Sequence, residues 1–195
     1  GGLYCQNSSP TLVNCIFTAN TANHTGGGLY CELSSPTLEN CVFADNISIF
    51  SGGGMTCDSS SPIVNNCTFS GNTAFEGGGK LCNRFSSPTL TSCTFTDNTS
   101  YDIAGGMYCR QSSSPTLENC TFTGNTATVG NGGGMYCYDN SSPTLENCTF
   151  TVNTATVGNG GGMFCYSSSS PTLDNCTFAD NEAYKLGGGV YCSST

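Results

Sequence analysis

Gly133-Gly134-Met135-Tyr136-Cys137, a polar turn, and then Ser142-Pro143-Thr144-Leu145-Glu146-Asn147-Cys148-Thr149-Phe150-Thr151-Val152-Asn153-Thr154-Ala155 make one unit of a repeat that fills the chain. Working outward, Ser-Ser-Pro returns at Pro10, Pro36, Pro62, Pro88, Pro115, Pro143 and Pro171, at intervals of 26, 26, 26, 27, 28 and 28 residues. All 15 cysteines fall into two phases. The first holds Cys5, Cys31, Cys57, Cys82, Cys109, Cys137, Cys165 and Cys192, and the second Cys15, Cys41, Cys67, Cys93, Cys120, Cys148 and Cys176. A fixed period of this length marks a stack of equivalent units that share one core, so residues 1–195 read as a single solenoid domain.

Each unit predicts strands. In Thr144–Phe150 the apolar Leu145 and Phe150 are separated by Asn147-Cys148, which fits two short extended segments around a corner. Gly triplets and Ser-Ser-Pro interrupt every window long enough for a helix. Three short strands per unit give about seven coils of 26–28 residues, an all-β parallel β-solenoid with coils about 4.8 Å apart. Phe17, Phe43, Phe69, Phe95, Phe122, Phe150 and Phe178 share one phase and predict an interior aromatic ladder. Asn20, Asn46, Asn72, Asn98, Asn125, Asn153 and Asn181, three residues later, predict an inward amide ladder. Asn14, Asn40, Asn66, Asn119, Asn147 and Asn175, with Ser92 in coil 4, mark a corner of left-handed backbone. The Gly triplets predict positive φ.

The Gly-Gly-Met-Tyr opening and the Phe-x-x-Asn close, Phe122 to Asn125, resemble the paired motifs of chlamydial polymorphic outer-membrane proteins. The Ser-Ser-Pro-Thr-Leu-x-Asn-Cys-Thr-Phe run is similar to repeats of large bacterial surface proteins. This resemblance to right-handed parallel β-helix repeat proteins covers the whole chain. It implies a scaffold used by adhesins and fibres as well as polysaccharide lyases, so it does not choose among functions.

Composition excludes several classes. Only 9% of residues are charged and the net charge is -9, with four basic side chains, Lys80, Arg84, Arg110 and Lys185. That set cannot track a phosphate backbone, so no nucleic-acid partner is expected. No apolar run reaches the roughly 20 residues that span a bilayer, so no membrane insertion is expected.

The cysteines admit three readings. The favoured one is a disulfide per coil, Cys5–Cys15, Cys31–Cys41, Cys57–Cys67, Cys82–Cys93, Cys109–Cys120, Cys137–Cys148 and Cys165–Cys176, leaving Cys192 alone and implying an extracellular or cell-surface setting. The second joins each second-column Cys to the next coil's first-column Cys. The third makes Cys a small interior hydrophobe. No Cys-x-x-Cys occurs and His24 is the one histidine, so no metal site is expected.

Catalytic constellations are not evident. Asp45, Asp97 and Asp180 lie in separated coils, and Glu118, Glu146 and Asp174 read as an outward acidic stripe. Arg84 and Arg110 lie in turns away from those acids, and His24 has no evident partner, so neither an enzyme nor a cofactor is expected. Tyr4, Tyr30, Tyr108, Tyr136, Phe164 and Tyr191 precede the first-column Cys and predict an outward aromatic stripe, interrupted by Thr56 and Leu81. Lys80 stands in the column of Leu3, Leu29, Met55, Met107, Met135, Met163 and Val190, and an interior column would require a local irregularity there. Thr94/Thr96, Thr121/Thr123 and Thr149/Thr151 form a Thr-x-Thr face like those of ice-binding solenoids. Of the Asn-x-Ser/Thr sequons, those at Asn46, Asn66, Asn98, Asn119, Asn147 and Asn175 fall on ladder or corner positions and are expected to be buried. Asn7, Asn23 and Asn140 lie in turns and are glycosylation candidates.

The chain opens and closes in one repeat phase, Gly1-Gly2-Leu3-Tyr4-Cys5 and Gly188-Gly189-Val190-Tyr191-Cys192. A segment of a longer array, or a subunit that stacks on itself into a filament, is therefore expected. The function expected is a non-enzymatic structural solenoid of an extracellular fibre or cell-surface stalk, with adhesive use of glycans. A carbohydrate-binding or carbohydrate-active β-helix is the alternative, followed by an ice-binding solenoid.

Overall fold

A computed structural model describes residues 1–193, and among these the regular structure is all strand. Four parallel sheets run along the solenoid axis. The first has eight strands, from Leu3–Gln6 to Val190–Cys192, and the other three have seven each. Equivalent residues of successive coils are partnered in register, as Phe69 with Phe95 and Cys57 with Cys82. Three strands per coil were expected. A fourth, two-residue strand follows the Asn ladder, from Thr21–Ala22 to Glu182–Ala183. It forms because the ladder locks the preceding turn and leaves the next two residues extended beside their copies.

Stacking in register makes each phase a ladder. The Phe rings lie 4.5 to 4.9 Å apart and within 9° of parallel. Within the Asn ladder, Oδ1 of Asn98 accepts from both the backbone N–H and Nδ2 of Asn72, and Nδ2 of Asn98 donates to the Phe69 carbonyl at 2.9 Å. Turn groups that no strand can pair are thereby satisfied inside the core. The corner Asn residues hold φ near +50°, as does Ser92. In the Gly triplets only the first residue has positive φ, and Ala104 takes that role ahead of Met107 in coil 5. The later glycines answer a different need. A Cβ on Gly79 would sit 2.6 Å from the Gly106 carbonyl oxygen and 3.0 Å from the Phe95 ring.

The Ser-Ser pair before each Pro builds two further ladders. The first Ser of each pair points inward, so that Ser34 N–H donates to Ser60 Oγ and Ser60 N–H to Ser86 Oγ. The second forms an outer ladder of opposite sense, Ser61 N–H to Ser35 Oγ and Ser87 N–H to Ser61 Oγ.

The cysteines depart from the favoured expectation. All fifteen are free thiols, so the within-coil pairs Cys5–Cys15 through Cys165–Cys176 are not formed. The two phases sit on different walls. The first lies in the first sheet, and the second follows the corner Asn between the second and third sheets. Fourteen of the thiols pack among their own column and the apolar core, as small hydrophobes do, while Cys192 in the last coil is exposed. Burial pushes the Cys67 thiol from 9.0 up to about 12. Farther along, thiols that accept from a neighbour, such as Cys93, are held down by that bond, and donors such as Cys120 are pushed up.

Lys80 corrects the other expectation. No irregularity releases it. It opens a regular strand, Lys80–Asn83, and its side chain is wholly buried. Burial drives its ammonium towards the neutral amine, and the sulfurs of Cys57 and Cys82 oppose this only as thiolates. Burial raises both of those thiols, so they stay protonated at neutral pH.

Candidate functional site

The aromatic column on the first sheet is where the solenoid departs from uniformity. Its side chains point away from the central core but are not an open stripe. Tyr4 is exposed, whereas Tyr108, Tyr136 and Phe164 are buried in a second apolar cluster with Leu81 and Ala104. Tyr30 and Tyr191 are half-buried. The longer loops ahead of the Gly triplets supply the cover, with Ile103 packed against this cluster. Strand alternation placed these side chains outside the main core, but the fold of those loops was not readable from it.

Where Thr56 and Leu81 replace the aromatic residue, the column loses two rings in adjacent coils and a cavity of about 390 Å³ opens. Phe50, Phe75 and Tyr30 line its sides, and Thr56 and Leu81 its floor. His24 lies 5.0 Å from Phe50, ring to ring. Two ion pairs face the space, Arg84 to Asp58 at 3.1 Å and Arg110 to Glu76 at 2.9 Å. Arg110 also donates to Asn83 Oδ1 at 3.0 Å and sits 5.4 Å over the Tyr108 ring. Burial, with Asp58 and Glu32 nearby, pushes the Tyr30 phenol up to about 12. Thus two of the four basic residues and the one histidine converge on a single hollow.

The other candidates are dispersed. Glu118, Glu146 and Asp174 stack in register as an exposed stripe. Among the described residues no group of three or more His, Cys, Asp or Glu side chains is placed to hold a metal ion. The Thr pairs stack in register on the third sheet, half-buried rather than open. Asn7, Asn23 and Asn140 are exposed. Asn46 and Asn98 are buried, but the corner sequons Asn66, Asn119, Asn147 and Asn175 are exposed, against expectation. Left-handed corner backbone turns those side chains outward.

Arg84 and Arg110 were not placed beside acids by spacing alone. Their partners, Asp58 and Glu76, lie 26 and 34 residues away. The readable signal was the pair of adjacent column interruptions at Thr56 and Leu81, with Arg84 in the second of those coils and Arg110 in the next.

None of the curated proteins and none of the solved structures matches the chain. The profile of the right handed beta helix region matches residues 1–130 and 73–195, together the whole chain. With parallel in-register coils, interior Phe and Asn ladders and this double match, the chain belongs to the right-handed β-helix family.

Proposed function

We propose that the chain is a non-enzymatic structural solenoid of an extracellular fibre or cell-surface stalk, carrying one adhesive site that takes a glycan. Ladders that run unbroken along the axis favour a stiff rod. Every coil pairs in register with the next, so further repeats or further copies can continue the same ladders. The observation that carries the adhesive reading is the cavity. Its aromatic walls offer faces to the apolar side of a sugar ring, and its Arg, Asp, Glu and Asn groups offer directional bonds to hydroxyls.

The test is binding of an oligosaccharide library by the intact chain and by two variants. Thr56→Tyr restores the residue that most coils carry in this column and fills the hollow. Arg110→Ala removes its best-held donor. Both should fold and lose binding at least tenfold, with bound glycan recovered uncleaved. Unchanged binding in Thr56→Tyr would sink the adhesive site, and cleaved glycan would sink the non-enzymatic reading.

A further inference from the structure

Lys80 lies in register with Met55 and Met107, in a column that every other coil fills with Leu, Met or Val. Its Nζ sits 3.0 Å from Sδ of Met55 and 3.1 Å from Sγ of Cys57. These sulfurs are the polar partners it has among the described residues, and both are weak acceptors. An amine buried on such terms is costly to the fold and gains little in return. What the arrangement supplies is chemical: a nitrogen and a sulfur nucleophile in contact, inside a packed core.

We propose that Lys80 and Cys57 are the two ends of an oxidative crosslink, an Nζ–O–Sγ bridge that joins coils 3 and 4. The oxidant is a peroxide. One hydrogen peroxide converts the Cys57 thiol to its sulfenic acid and leaves as water. A second oxidises the Lys80 amine to a hydroxylamine and also leaves as water. Condensation of the two forms the N–O–S bridge and expels a third water. Sulfur and nitrogen each lose two electrons, and two peroxides take up the four. A bridging oxygen spans much of the existing 3.1 Å gap. A direct S–N bond would instead pull both atoms well inside contact distance against a close-packed wall. Two equivalents of a dithiol supply the four electrons that return the thiol and the amine, and the bridging oxygen leaves as water, so the staple is reversible.

Trypsin reads this directly, because Lys80 is one of the four tryptic sites and a bridged lysine is not cut. The purified chain is treated with hydrogen peroxide, alkylated in denaturant without reductant, digested and analysed by mass spectrometry. The expected product is a peptide that ends at Arg84 instead of Lys80, heavier by one oxygen and lighter by two hydrogens. Cleavage at Lys80 should return after dithiothreitol. Lys80→Met and Cys57→Ala should each abolish the product. Full cleavage at Lys80 in the oxidised sample would overturn the proposal. So would Cys57 recovered only in a disulfide with Cys31 or Cys82, oxygen recovered only on Met55, or a product that survives in Cys57→Ala. The wild-type digest decides the matter even if a variant folds poorly.

Discussion

Lys80 measures how much a regular backbone tolerates at one position. Strand alternation sends its side chain into the core whatever its chemistry, because turning it outward would reverse every side chain of Lys80–Asn83. The sequence singled out the residue, since its column is otherwise apolar. It did not identify Met55 and Cys57 as partners, which lie 25 and 23 residues away and meet Lys80 only once coils stack. An amine buried with only weak sulfur acceptors costs the fold part of its desolvation free energy, about 1–3 kcal/mol, which an apolar side chain of similar length does not. Lys80→Met is therefore expected to raise the urea midpoint under reducing conditions with an unchanged slope. A lower midpoint would mean that the amine contributes more than it costs.

At the scale of the element, ladders concentrate the effect of a substitution. Asn98→Ala strips the acceptor from the Asn72 backbone N–H and amide and the donor from the Phe69 carbonyl, all inside the core. At about 1–3 kcal/mol for each buried group left unpaired, the loss should reach at least about 3 kcal/mol in equilibrium unfolding. Thr94→Ala, on the outer side of the neighbouring strand, should change stability by no more than about 0.5 kcal/mol. The aromatic column gives a pH test. Burial raises the Tyr30 phenol from 10.0 to about 12 and pushes Tyr108 and Tyr136 up as well. Because the folded values are raised, the unfolded chain ionises first. This contribution to stability is fully present below pH 10 and is lost as pH rises through about 12. Ultraviolet titration of the native chain should show a late phenolate step that urea moves towards pH 10. A single step at the same pH in both states would contradict the burial of this column.

For the whole molecule, coils that touch only their neighbours make stability a sum of coil and interface terms. Phe43, Phe69, Phe95, Phe122 and Phe150 are fully buried, whereas Phe17 and Phe178 at the ends are half-buried. Hydrogen exchange should therefore be slowest for the strands between Met55 and Cys109 and fastest in the first and last coils. Equal protection along the chain would point instead to one all-or-none unit. The opening of the cavity belongs to this scale too, because it needs two adjacent coils to lack a ring and the loops of neighbouring coils to wall the gap.

Periodicity by itself determined the solenoid, its number of coils, the Phe and Asn ladders and the left-handed corners, because each follows from the local chain repeating in phase. It did not reveal the Ser ladders, whose two senses depend on which hydroxyl faces the core, nor the short fourth strand. Only the tertiary structure decided the fate of the cysteines and the aromatic column. Two columns of equal spacing imply pairing on paper, but they lie on separate walls, and each thiol meets its own column instead. A residue that alternation sends outward stays exposed only if no loop folds over it. The charged cavity is likewise a product of stacking: residues one coil apart in sequence become neighbours one strand apart in space, and no local pattern records which side chains then meet.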